Sequence, residues 1–147
     1  MIRGATAEDR AAVQRLYEEL CPGQPVRVIA SRIEAVAEDP HHFLLVHEAD
    51  GQVDGTVFVN FCPDLKFGTL PYAVVENLVV HQERRGNGIG RRLMQEVENL
   101  AREQRATKIM LMSNRQESHR FFQMQGYDGG ASSAFQKLLS SAEINHA

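Results

Sequence analysis

Several things are scarce in this sequence of 147 residues, and each scarcity removes a class of answer. Only two cysteines occur, Cys21 and Cys62, far apart and without metal or pairing spacing, so a reduced, intracellular setting is expected rather than a disulfide scaffold. No apolar run approaches the ~20 residues that a bilayer-spanning helix requires. Folded-looking sequence begins at once with Met1, Ile2, Arg3 and Gly4, and the expectation is a cytoplasmic protein with no membrane partner. A basic excess is also missing: 16 Lys and Arg stand against 19 Asp and Glu, for a net charge of −3. General nucleic-acid binding usually needs the opposite balance. The six histidines include no pair at metal-ligand spacing with a carboxylate, so no metal site is expected. Repeats, linkers and low-complexity tracts are absent. With 43% hydrophobic and 24% charged residues, the chain reads as one domain over residues 1–147, with a frayed tail from about Ser140.

What is present alternates between two periodicities. Residues 1–5 suggest a short strand, and Thr6 with Asp9 resembles a capping box. Val13, Leu16, Tyr17 and Leu20 follow at the spacing of one helical face. Pro22, Gly23 and Pro25 break that helix, and Val26, Ile29, Ile33, Val36 and Ala37 predict a second one that ends at Asp39 and Pro40. A strand at residues 43–46, an Asp50-Gly51 hairpin turn and a strand at 52–61 make an antiparallel meander. Residues 62–71 are a loop longer than a hairpin requires. An apolar strand around residues 74–80, a helix with Ile89, Leu93, Val97, Leu100 and Ala101 on one face, and a strand at 108–112 predict a unit whose two strands are parallel. A helix over residues 113–125 ends at Gly126, and a final hairpin is expected from residues 127–128 and 134–138 around Gly129-Gly130. The fold class is α/β, with a mixed central sheet of about six or seven strands and about four helices.

The chemistry concentrates between Val74 and Met94. Gly86, Gly88 and Gly90 leave backbone amides uncovered where a helix begins, and Arg84, Arg85, Arg91 and Arg92 flank them. A helix start carries unpaired N–H groups and the positive end of the macrodipole, a cradle for phosphate oxygens. The common nucleotide loops do not fit: no Lys-Ser or Lys-Thr pair follows the glycines, and the dinucleotide fingerprint needs glycine where Arg91 or Leu93 stands. What remains is Arg85-Gly86-Asn87-Gly88-Ile89-Gly90, of the form R-x-x-G-x-G. That turn resembles the acyl-CoA-binding signature of the GNAT superfamily of N-acetyltransferases. The resemblance spans residues 1–138 in element order and is strongest from Ala73 to Tyr127, where Glu76-Asn77-Leu78-Val79-Val80 resembles the family's fourth strand and Ser118 to Tyr127 its closing helix.

The resemblance implies that acetyl-CoA is the acyl donor. Backbone groups of Leu78, Val79 and Val80 would face its pantetheine, and Arg85, Gly86, Asn87, Gly88, Ile89, Gly90 and Arg91 would hold its pyrophosphate. Arg84 and Arg92 read as solvated surface charges. Glu76 interrupts an otherwise apolar strand, and partial desolvation there would suit it to general-base work on a protonated amine. The resemblance points the same way. Two departures stand out: Phe122 occupies the place where the family often has a Tyr that protonates the leaving thiolate, and the family's cofactor Asn registers only as Asn114, one residue early. Tyr72, Tyr127, His119 or a water could take the tyrosine's part, with Phe122 a wall beside the sulfur. The expected activity is acetyl transfer from acetyl-CoA to a primary amine, of a small molecule, by direct attack, the acceptor walled by residues 20–27 and 62–72. A protein N-terminus or lysine as acceptor, a non-catalytic acyl-CoA-binding or sensing domain, and an interaction module without cofactor are the alternatives; a homodimer is left open.

Overall fold

Alternation and turn chemistry build a mixed sheet in the order β1-β2-β3-β4-β5. Its strands are β1 (Ile2–Gly4), β2 (His42–Ala49), β3 (Gln52–Pro63), β4 (Pro71–Val80) and β5 (Ile109–Leu111). The computed structural model describes residues 1–113 and 115–139, and the chain divides into two units, Met1–Leu111 and Met112–Ala147. All five strands belong to the first. The β2–β3 connection is the expected two-residue turn, with Asp50 at φ 53° and Gly51 at φ 75°. Both central residues in the left-handed region match the right-handed twist of the strands they join. Neighbours pair antiparallel except β4 and β5, which are parallel, as the intervening helix demands.

Three helices cover this sheet. Helices α1 (Arg10–Leu20) and α2 (Ala30–Glu38) lie on one face, where Val13 and Ile33 pack with Ala5 and Val46. On the other face, α3 (Ile89–Glu103) buries Ile89, Leu93, Met94, Val97 and Ala101. Ahead of α1, the Thr6 amide donates to Asp9 Oδ2 at 2.8 Å, the acidic half of the capping box. Asp9 is also gripped by Arg3 at 2.8 and 3.0 Å, and this pairing lowers its carboxyl from the usual carboxylate value. Helix α2 starts at Ala30 rather than near Val26. The cause is Gln14: its amide donates to Val26 O at 2.9 Å and accepts from Val28 N at 2.7 Å. Those backbone groups are thereby spent outside a helical ladder.

The second unit carries α4 (Gln116–Met124), which stops before Gly126 at φ 92°. The hairpin expected after it is not found: no strand forms among residues 127–139, and the sheet therefore counts five strands among the described residues instead of six or seven. Phe135 and Leu138, within its expected second strand, are 91% and 80% exposed. They stand an odd number of positions apart, so a strand would turn them to opposite faces. The tail from Ser140 lies outside the described residues.

Candidate active site

The site grows out of an asymmetry in β4. Its first half is paired on both edges: Ala73, Val74 and Val75 lie opposite Ile109, Met110 and Leu111 of β5 and opposite Phe61, Asn60 and Val59 of β3. From Glu76 on, only the β3 edge is paired among the described residues. Backbone groups along the other edge have no strand partner there and can meet an extended ligand, apart from Val80 O, which accepts from Arg85 Nε.

A bulge sits at the same point. Phe58 is opposite Glu76 and Thr56 opposite Val79, so Asn77 and Leu78 share the single partner position of Val57. Asn77 supplies the required left-handed conformation at φ 57°, which Asn tolerates better than other side-chain-bearing residues. The extra residue changes which side chains share a face. Glu76 lies on the α1 side with Val74, as the alternation predicts, but Val79 joins it there, while Val80 pairs with Gly55 on the α3 side. The expected desolvation of Glu76 is not found either: its side chain is exposed. Its neighbours on that face, Phe58, Asn60 and Val74, are themselves only half-buried.

Tyr17 of α1 reaches this point. Its hydroxyl is within hydrogen-bonding reach of the Asn77 side chain, and burial, with Glu76 and Cys21 nearby, pushes its phenol up to about 12.

Beyond β4, His81 to Arg84 make a tight turn closed by Arg84 N donating to His81 O at 2.8 Å. Gly86 and Gly88 then take φ of 83° and 78°, conformations that an L side chain resists. Gly88 is the N-cap of α3, and Gly90 lies inside the helix. Among the described residues, no backbone acceptor meets the amides of residues 86–91. A Cβ on Gly86 would touch nothing within 4 Å, so the space over the turn is open. Free amides, a helix start and open space fit a pyrophosphate.

The arginines are mostly engaged within the chain. Arg84 Nε donates to Asp54 Oδ2 at 3.1 Å; Arg85 Nε donates to Val80 O at 2.9 Å, with Glu19 at 3.8 Å; Arg92 reaches Asn87 O at 3.4 Å. The Arg91 guanidinium lies beside Gly88.

Two carboxylates brace the turn, and neither was singled out from the sequence. Glu19, in the last turn of α1, pairs with His81 and accepts from the Gln82 amide at 3.1 Å. Asp54 of β3 holds His47 Nδ1 at 2.6 Å as well as Arg84. Signals existed for both. An acidic residue at a helix C-terminus opposes the dipole and asks for a partner, and Asp54, like Glu76, is a charge within a strand.

Leu78, Val79, Val80 and residues 85–91 thus form one continuous strand-turn-helix stretch with Glu76 at its entrance. Phe122 belongs to the second unit, where it packs edge-on against Phe121 and Tyr127 at ring separations of 5.1 and 6.0 Å. Asn114 lies outside the described residues. Among the described residues, no cluster of three His, Cys, Asp or Glu could hold a metal, and no helix is long and apolar enough to cross a membrane.

Comparison with known proteins adds the following. The model of the acetyltransferase (GNAT) family matches residues 5–127. An acetyltransferase candidate from Agrobacterium tumefaciens strain C58 shares 26% identity at a TM-score of 0.85, covering 94% of this chain and 99% of its own. Glucosamine-6-phosphate N-acetyltransferase from Arabidopsis thaliana superposes at a TM-score of 0.83 with 19% identity, over 95% and 98% of the two chains. Ribosomal-protein-alanine N-acetyltransferase from Brucella melitensis biovar Abortus 2308 gives 0.75 and 21%, again over 95% and 98%. At these identities the last two establish likeness of fold alone. No curated protein matches the chain by sequence.

Proposed function

The chain belongs to the GNAT acetyltransferase family, and from that premise we propose that it moves an acetyl group from acetyl-CoA to the primary amine of a small molecule, with Glu76 as general base. The observation that carries the reading is the joint placement, on one strand, of a half-unpaired edge, a solvent-facing carboxylate and, a few residues on, a turn with free amides. The amides of residues 86–91 bind the pyrophosphate and the free edge of residues 76–80 binds the pantetheine. Both contacts use backbone, so they orient the thioester without depending on particular side chains.

Glu76 has a definite task. An alkyl ammonium has a pKa of ~10.4 and no lone pair at neutral pH, so a proton must leave before nitrogen attacks. Solvent exposure of Glu76 favours transfer through an intervening water rather than direct contact. As the C–N bond forms, the C–S bond breaks. A thiol with an ordinary pKa of ~8.5 leaves as thiolate, which makes a phenyl ring at Phe122 compatible with turnover. Attack through an acyl-cysteine is disfavoured, because neither Cys21 nor Cys62 has a histidine as hydrogen-bond partner among the described residues.

The acceptor class is tested by a thiol-release screen with acetyl-CoA over amino sugars, aminoalkyl compounds, peptides with free N-termini and lysine peptides, with Glu76→Gln alongside. Release with a small amine, lost in the variant, is the expected result. Release with peptides alone moves the acceptor to proteins. Full activity of Glu76→Gln at neutral pH removes Glu76 as the base, and tight CoA binding with no release from any amine makes the protein a non-catalytic acyl-CoA binder.

A further inference from the structure

The turn that offers its amides to the donor is itself held from behind, by a residue of a different strand. Asp54 lies on β3, its side chain only 6% exposed, and both carboxylate oxygens are engaged. Oδ1 faces His47 Nδ1 at 2.6 Å and Oδ2 accepts from Arg84 Nε at 3.1 Å. The backbone carbonyl of Asp54 accepts the His81 amide at 2.8 Å, so the same residue secures the first position after β4 and the guanidinium of Arg84. Arg84 in turn has its carbonyl held by Asn87 Nδ2 at 2.9 Å, which carries the restraint to the glycines.

The next residue completes the seat. At Gly55 an added Cβ would stand 3.0 Å from Ile89 Cγ2 and 3.2 Å from Leu93 Cδ1, so the first turn of α3 rests on bare backbone. Asp54 thus fixes where the turn begins, and Gly55 fixes where the helix begins. A carboxylate is costly to bury unless it is paired, and here one partner, His47, is buried on β2 while the other, Arg84, belongs to the ligand-binding turn.

We infer that Asp54 is the positioning residue of the donor site: by holding Arg84 and His81 it presets the amides of residues 86–91 for the pyrophosphate of CoA. Arg84 is, on this account, a strut of the turn and not a phosphate contact, and His47 keeps the Asp54 carboxylate aligned. The inference rests on the reading of the turn as an acyl-CoA site. It adds that phosphate affinity is controlled from β3, through a side chain that never touches the ligand.

The test is calorimetric titration of the full chain with CoA and, separately, with pantetheine, which lacks the pyrophosphate. The proteins are wild type, Asp54→Asn, Arg84→Gln and the double variant. Weakening of CoA binding by about tenfold in each single variant is expected, the scale of one lost charge-assisted hydrogen bond. Pantetheine binding should stay within about twofold of wild type, and the double variant should be no worse than the singles, because both act through one contact. Equal weakening of CoA and pantetheine, wild-type affinity in both singles, or additive losses in the double would overturn the inference. Should Asp54→Asn fail to fold, Arg84→Gln alters a half-exposed side chain and carries the same selective expectation. Wild type that binds no CoA overturns the donor-site reading itself; wild type that binds, with variants that match it, overturns only the role of Asp54.

Discussion

The donor turn and Glu76 lie within a dozen residues of each other on one strand-turn-helix stretch, yet they are built in opposite ways. Side chains from three other elements hold the turn: Glu19 from α1, Asp54 from β3 and, through Asp54, His47 from β2. Glu76 is positioned by backbone alone, by the β3 pairing and the left-handed Asn77 beside it, and its carboxylate faces solvent. Under the proposed roles, the difference matches two demands. A phosphate cradle works through fixed amides that must not reorganise on binding. A base must exchange its proton with solvent on every turnover, and burial would hinder that.

That contrast can be broken by substitution. The largest effect is expected at Glu76: Glu76→Gln should lower turnover by ~10²–10⁴ at neutral pH, the usual range for a general base, while CoA affinity stays unchanged. Loss of CoA binding in the same variant would mean that Glu76 helps to hold the donor.

Gly55→Ala should act on the other side of the comparison. A methyl group 3.0 Å from Ile89 Cγ2 and 3.2 Å from Leu93 Cδ1 requires those side chains to give by a few tenths of an ångström, and the expected cost is about 1–3 kcal/mol of stability. Denaturant unfolding measures the cost, and CoA affinity should fall with it.

Tyr17→Phe is the smallest change and sharpens the boundary between the two regions. It removes the hydroxyl beside Asn77, worth ~0.5–1.5 kcal/mol if the contact is a typical hydrogen bond, and should reduce turnover more than CoA affinity. The pH dependence has a definite sign. The Tyr17 phenol titrates near 12 in the folded protein, against ~10 when unfolded. Its contribution is complete below the unfolded value and is lost as pH rises through the folded one. Tyr17→Phe should therefore flatten the fall in stability over that alkaline interval, and an unchanged slope would show that Tyr17 is not shielded as described.

How much of this was legible in the sequence depends on the range of the interaction. The Asp50-Gly51 turn, the α1 stripe of Val13 and Leu16, and the glycines of the donor turn are local signals, and each lies where its pattern predicts. The parallel pairing of β4 and β5 followed from the helix between them. Misreadings came where a distant residue decided the outcome. The amide of Gln14 keeps Val26 and Val28 out of a helix. A single extra residue opposite Val57 reassigns the faces of β4, which strict alternation cannot foresee. The expected last hairpin spanned Phe135 and Leu138, whose spacing suits no single strand face. In the site, the amides of residues 86–91 were readable because glycine and a helix start suffice to announce them. The braces at Glu19, His47 and Asp54 were not, since a carboxylate on one element and its partner on another leave only the faint trace of a charge in an unfavourable place.

The central claim is that the stretch from Glu76 to Arg91 is an acyl-CoA site. It is tested most directly by the thermal unfolding midpoint as acetyl-CoA is added. A ligand that binds only the native state raises stability by RT ln(1 + [L]/Kd), about 2.7 kcal/mol at a hundredfold excess over Kd. A midpoint that climbs steadily with acetyl-CoA concentration is the predicted result, and a flat midpoint at millimolar acetyl-CoA would contradict the account.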